Sequence, residues 1–287
     1  MLDPKEGHES MPDENIHRVR DQVKGSESDA QERNRLWWER LPMTYASFDA
    51  SERIPVTAED FREVEKRLLD GNPWLRDEFD FAALSGQRVL EIGCGSGSAS
   101  CLLARAGAQV SAIDLTQQAV TLTRKNASVQ GLDFDVRQMD AERLEFPANH
   151  FDFVFTWGVI HHSQETERII AEIQRVLRPG GRGMCMVYNK HSLRYYVLGL
   201  YYLLVKGKLL RGYDLDSVQG LFTDGFYQRH FTPRELAAAF RSAGLAPTAV
   251  HKTHMAGPIL PGVPAALDRP LKQRFGWLLV IEFAKPA

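Results

Sequence analysis

Short apolar runs alternate with amphipathic stretches over residues 87–188, and that alternation sets the expected fold. Val89-Leu90-Glu91-Ile92 is a short strand entering a glycine turn, and Ser98 to Ala106 leaves the turn as a helix. Val110 to Asp114 reads as a second strand, after which Thr116 caps a helix with Ala119, Val120 and Leu122 on its apolar side. Phe134-Asp135-Val136 is a third strand and Phe151-Asp152-Phe153-Val154-Phe155 a fourth. Ile169, Ile170, Ile173 and Val176-Leu177 recur with helical period over Thr166 to Leu177, and Pro179-Gly180-Gly181 stops that helix. Gly183 to Tyr188 is a fifth strand. Strands and helices alternating at these intervals predict an α/β doubly wound parallel sheet with helices on both faces.

The pattern changes on either side. Residues 1–35 are polar, without the apolar core of a signal peptide, and are expected as a disordered tail. Residues 36–85 form a helical cap that opens on Leu36-Trp37-Trp38. In it, Thr57 caps a helix over Ala58 to Asp70 with Phe61, Val64, Leu68 and Leu69 on one face and Gly71 at its end. The main domain spans residues 86–287, with a lid insertion at about 190–230. Within it, Ser192 to Leu210 is a helix-like apolar stretch and Tyr213 to His230 is irregular. Thr232-Pro233-Arg234-Glu235 is a capping box opening a helix that ends at Gly244. Two strand-like runs, Thr248 to His254 and Trp277 to Phe283, follow, separated by a link containing proline and glycine.

Composition narrows the partners. A net charge of -2 over 287 residues offers no large basic field for nucleic acid. Cys94, Cys101 and Cys185 are scattered without metal-ligand spacing, which argues for no metal site and for a reducing, cytoplasmic setting. No stretch is long and apolar enough for a membrane-spanning helix.

Gly93-Cys94-Gly95-Ser96-Gly97 carries the candidate chemistry because a strand enters it, a helix leaves it, and the next strand ends in Asp114. That layout is a nucleoside-binding half of a doubly wound sheet, in which the acid reaches a ribose and the glycines let backbone approach the ligand. Glu91-Ile92-Gly93-Cys94-Gly95-Ser96-Gly97, Asp140-Ala141-Glu142, Phe151-Asp152-Phe153-Val154, His161-His162 and Arg175-Val176-Leu177-Arg178-Pro179-Gly180-Gly181 stand in order. Together they resemble the motifs of the class I S-adenosylmethionine (SAM)-dependent methyltransferases, small-molecule branch. The resemblance implies a Rossmann-like seven-stranded sheet with an antiparallel last strand, the two final runs pairing as a hairpin. It also implies SAM as cofactor and in-line transfer of a methyl group.

On that resemblance, Gly93, Gly95 and Gly97 give close backbone approach, with Cys94 either a small turn residue or a thiol at a helix N-terminus. Glu91 would organise the loop and the methionine amino group, and Asp114 would accept from both ribose hydroxyls. Leu115 would lie against adenine, whose exocyclic amine would reach Asp140 while Ala141 offers its N–H. Trp157 either walls the transfer site or packs in the core. His161 and His162 either pack beneath the cofactor or act on substrate. Tyr188, His191 and His230 are further candidate bases, with Asp224 as orienter.

The tyrosines and leucines of the 193–205 stretch point to an apolar, aromatic or lipid-like acceptor. Followed by Lys206, Lys208 and Arg211, the stretch is either a lid packed on the core or a helix touching a membrane surface. Two rival readings are an NAD(P)-dependent oxidoreductase and a non-catalytic SAM-binding module. The first is disfavoured because Gly-x-Gly-x-Gly departs from the dinucleotide Gly-x-Gly-x-x-Gly. Acceptor atom and oligomeric state are left open by the sequence.

Overall fold

The computed structural model describes residues 30–41, 43–45, 54–221, 223, 225–259 and 262–287. Its sheet is built from β1 (Arg88–Ile92), β2 (Gln109–Asp114), β3 (Asp135–Gln138), β4 (Phe151–Trp157), β5 (Leu177–Tyr188), β6 (Ala246–Thr253) and β7 (Leu278–Ala284). The strands lie in the order β3-β2-β1-β4-β5-β7-β6. The first five are parallel, whereas β7 runs antiparallel to both β5 and β6. Strand order reverses between β1 and β4, the switch point at which an open α/β sheet leaves a crevice beyond the carboxyl ends of its strands.

Nine α-helices are found among the described residues: α1 (Ala30–Arg40), α2 (Ala58–Gly71), α3 (Pro73–Asp77), α4 (Ser98–Arg105), α5 (Gln117–Val129), α6 (Thr166–Val176), α7 (Leu193–Leu200), α8 (Pro233–Ser242) and α9 (Ala265–Phe275). Successive residues of a strand point to opposite faces, so the apolar runs feed two cores. Leu90, Ile92 and Val154 pack with Ile170 and Ile173 of α6 and Phe240 of α8 on one side. Val89, Phe153 and Phe155 pack with Leu103 of α4, Val120 of α5 and Leu68 of α2 on the other. The expected capping box forms, Thr232 with Glu235 opening α8, and the expected Thr57 cap of α2 also proves to be a box, closed by Asp60.

Several expected boundaries move. The tail boundary at 35 falls inside α1, which starts at Ala30; residues 1–29 lie outside the described residues. The third strand is Asp135–Gln138, displaced towards the carboxyl side of the apolar run. Pro179-Gly180-Gly181 does not separate helix from strand. β5 begins at Leu177, and a bulge takes up the intervening residues, since Phe151 pairs with Leu177 but Phe153 with Arg182. Main-chain bonds between Gly180, Gly181 and Lys285 (2.8 and 2.9 Å) fix that bulge. The link between the last two strands contains α9, which has Pro270 inside it and no buried stripe, hence no periodic signal. The apolar stretch after β5 is not one helix to Leu210: α7 stops at Leu200, a π-turn covers Tyr201–Val205, and a 3-10 turn covers Leu209–Arg211.

Candidate functional site

The glycine turn is fastened to β2 from both directions. Gly93 and Cys94 donate main-chain N–H bonds to Ile113 O (2.8 and 3.0 Å). In return the Asp114 carboxylate accepts from Gly95 N at 3.1 Å, Thr116 N at 3.0 Å and Thr116 Oγ1 at 2.9 Å. Gly93 and Gly97 hold φ of +78° and +79°, a region that side chains with a Cβ seldom occupy. A Cβ on Gly93 would stand 2.2 Å from Val159 Cγ2, and one on Gly97 would stand 2.9 Å from the backbone Cα of Thr123. Burial raises the Asp114 carboxyl pKa, and its N–H and O–H donors pull it back.

Above this turn lies a cavity of about 390 Å³, within the range of small-molecule sites. Gly93, Gly95, Asp114, Leu115, Asp140 and Ala141, which the resemblance assigns to the nucleoside, line one side of it. Trp157, His162 and Tyr188 line the rest, so nine expected residues converge from the ends of β1, β2, β3, β4 and β5. Trp157 is the last residue of β4 rather than a residue after it.

The other expected residues are not in the cavity wall. Glu91 is buried beneath the turn, where Ser100 Oγ donates to it. Burial pushes its carboxyl up to about 8. Cys94 is buried against Thr123, whose hydroxyl donates to Sγ at 3.3 Å, and burial holds the thiol well above its ordinary value. This corrects the activated-thiol reading, because the opposite shift is needed to make a thiolate. Gly97 packs on Thr123 as the N-cap of α4.

His161 and His230 stand behind Tyr188, with ring centroids 4.1 and 5.6 Å from the tyrosine ring. Neither ring nitrogen of His161 meets a hydrogen-bond partner among the described residues. Burial keeps both rings neutral, with His161 far below its ordinary value and His230 down at about 3. His191 is exposed and meets Asn189 through its main chain (3.0 Å). Asp224 lies outside the described residues. His162 does line the cavity: its Nδ1 lies 2.9 Å from Tyr227 O and must donate to that carbonyl, which leaves Nε2 as the accepting nitrogen. Burial pushes this ring down to about 4.

The N-terminal segment supplies a wall, part of which (Gln31 and Asn34) falls in the stretch expected to be a disordered tail. Gln31, Asn34, Trp38, Met43 and Tyr45 face the cavity. Gln31 Nε2 donates to Asp140 Oδ1 at 3.0 Å, and Asn34 Nδ2 donates to His162 O while its Oδ1 accepts from Tyr227 N. Glu39 accepts from Gln117 N and Gln118 N (3.1 and 3.0 Å), placing a carboxylate on the positive end of α5. Asn72, Met186, Met255 and Leu278 also line the cavity and were missed: Met186 and Leu278 belong to strands read only for their packing, and Asn72 and Met255 lie between elements.

Charge decides which nucleoside fits. The charged lining residues are Asp114, Asp140 and Arg67, and Arg67 is paired with Glu63 (3.3 Å). Two carboxylates around a tight glycine turn suit a nucleoside carrying positive charge, and offer little to a pyrophosphate.

Comparison with known proteins agrees. A family described as "Methyltransferase domain" matches residues 90–185. The ubiquinone biosynthesis O-methyltransferase of Nitrosococcus oceani is 32% identical over 185 residues, covering 63% of this chain and 72% of the relative. That of Aromatoleum aromaticum is 35% identical over 186 residues, covering 63% and 73%. The crystal structure of a SAM-dependent methyltransferase from Methanosarcina mazei superposes with a TM-score of 0.53 at 22% identity, covering 76% of this chain and 99% of the other, a likeness of fold. The chain therefore belongs to the class I SAM-dependent methyltransferases, with SAM as its cofactor and a small molecule as its acceptor.

Proposed function

We propose that the chain methylates the hydroxyl of a small, apolar aromatic acceptor. The supporting observation is the cavity beyond the nucleoside side: Met43, Met186, Met255, Trp157, Tyr188 and Leu278 form its wall. Thioethers and aromatic faces adapt to flat or alkyl-bearing ligands, and methionine fits irregular apolar shapes especially well. The relatives named as O-methyltransferases of ubiquinone biosynthesis point the same way.

In this reading Asp114 would accept from the ribose hydroxyls, Asp140 would accept from the adenine amine, Ala141 would offer its N–H, and Leu115 would lie on the adenine face. Glu91 holds the turn from below. When bound, SAM would supply an electrophilic methyl group for in-line transfer to the acceptor oxygen, and the hydroxyl proton would pass to solvent water. The chain's own part is orientation and exclusion of water. His162 Nε2 accepts the hydroxyl proton's hydrogen bond and aims the oxygen. Its low pKa suits positioning better than proton abstraction at neutral pH. Trp157 and Tyr188 flank the acceptor ring.

A turnover screen for demethylated cofactor across phenols, quinols, amines and aliphatic lipids tests the assignment. Turnover of phenols or quinols with alkyl substituents is expected, and turnover of amines alone would overturn it. Tyr188→Phe should leave the SAM affinity intact while raising KM for the acceptor.

A further inference from the structure

We propose that the outer face of the segment after β5 docks on an anionic lipid bilayer. This inference stands apart from the acceptor's identity. The inner side of the segment is committed to the fold: Tyr195 is buried, Gln219 Nε2 donates to Tyr195 O at 3.0 Å, and Gly199 packs so closely on Gln219 that a Cβ would come within 2.9 Å of it. Leu203 is buried one helical step further.

The outer side is apolar where solvent should meet polar groups. Tyr196, Val197, Leu200, Tyr201, Leu204 and Val205 recur at intervals of one and three residues along α7 and the π-turn, and all are exposed. Leu204, Val205 and Leu210 reach 65%, 71% and 92% exposure. Isolated exposed leucines need no explanation, but a continuous strip of this kind marks a binding surface.

Charge selects the occupant. Between Ser192 and Tyr213 the sequence holds Arg194, Lys206, Lys208 and Arg211 and no Asp or Glu, in a chain whose net charge is -2. The Lys206 ammonium lies 5.6 Å from the Tyr201 ring centroid and that of Lys208 lies 5.9 Å from Tyr213. Apolar side chains with cations and tyrosines at their margin match the interfacial region of a bilayer, where alkyl tails lie below anionic headgroups. A second copy docking through the same patch would set these cations against their own counterparts across a two-fold axis.

The test is co-sedimentation of the full chain with vesicles of phosphatidylcholine alone or mixed with phosphatidylglycerol. Partition into the anionic vesicles, weakening between about 0.1 M and 1 M salt as screening shortens, is expected. Each basic side chain near such a surface is worth about five-fold in partition, so K206Q/K208Q/R211Q should bind about 100-fold more weakly. L204S/V205S/L210S should also lose binding, while both triple variants keep wild-type SAM affinity in calorimetry, which reports an intact fold. Absence of binding, equal partition into both vesicle types, or wild-type partition by both variants would overturn the proposal. So would a dimer in sedimentation velocity that L204S/V205S/L210S dissociates without change in vesicle binding.

Discussion

Gln31 donates its side-chain amide to the Asp140 carboxylate at 3.0 Å, joining residues 109 positions apart. The contact ties α1 to the segment after β3 at the cavity wall that both residues line. Asn34 makes a second tie, to His162 and Tyr227, and Glu39 a third, to the start of α5. A helix fixed at three such points closes one wall of the cavity, and loosening it should be felt by the cofactor.

Asn34→Ala is therefore expected to lower stability by about 1–3 kcal/mol, the cost of leaving buried polar partners unmet. SAM affinity should fall about ten-fold in calorimetry as the wall loosens. Glu32→Ala removes a partly exposed pair with Arg35 on the same helix and should change stability by less than about 1 kcal/mol. Equal effects from the two variants would mean that α1 is not part of the wall.

Asp114→Ala should lose about 100-fold or more in SAM affinity, the scale of two hydrogen bonds to a charged acceptor. Asp114→Asn keeps an oxygen for Gly95 N or Thr116 N and should lose less. Near-wild-type calorimetric binding by the alanine variant would remove Asp114 from the ribose role.

Gly97→Ala places a Cβ against the Thr123 backbone in a left-handed conformation. About 1–3 kcal/mol of backbone strain and a similar overpacking cost should add, so a large drop in Tm is expected. Cys94→Ala, at the neighbouring position, deletes one buried sulfur and should cost about 1 kcal/mol. Thermal unfolding of the two variants side by side checks the contrast.

Stability of the ligand-free chain should peak near neutrality. Burial depresses His162 to about 4 and His230 to about 3 from an unperturbed value of 6.5, so their stabilising effect is complete above 6.5 and is lost as pH falls. Glu91 is raised from 4.5 to about 8, so its contribution is complete below 4.5 and is lost as pH rises towards 8. Above 6.5 the Glu91 term acts without opposition from the histidines. Glu91→Gln should flatten the alkaline limb of a Tm-versus-pH curve and leave the acid limb in place; an unchanged alkaline limb would rule Glu91 out as its source.

How much of this was legible depended on whether a residue's neighbours were near in sequence. β1, the glycine turn and Asp114 form one local unit in which strand, turn and acid all carry strong signals, and the structure assembles them as the pattern implies. The Thr232 capping box and the Thr57 cap were readable for the same reason, since each closes over three residues. α9 was hidden because no face of it is buried, which leaves hydrophobic periodicity nothing to report. The bulge before Arg182 was hidden because proline and glycine mark both loop and bulge, and only pairing with Lys285 separates the two. Gln31, Asn34 and Glu39 escaped notice because their partners lie 78 to 193 residues away and single polar side chains carry no period. His230 was a candidate base on residue type alone, whereas His161 came from a motif that allowed packing as well as chemistry; both rings lie against Tyr188 and outside the cavity lining.

The position of β7 between β5 and β6 bears on how the chain is made. β6 leaves the ribosome before it has anything to pair with, and β5 waits with one bare edge, until residues 278–284 arrive to be threaded between them. Nascent chains arrested upstream of Leu278 thus present two sticky margins at once. During synthesis, this is the interval at which holdase chaperones would matter most.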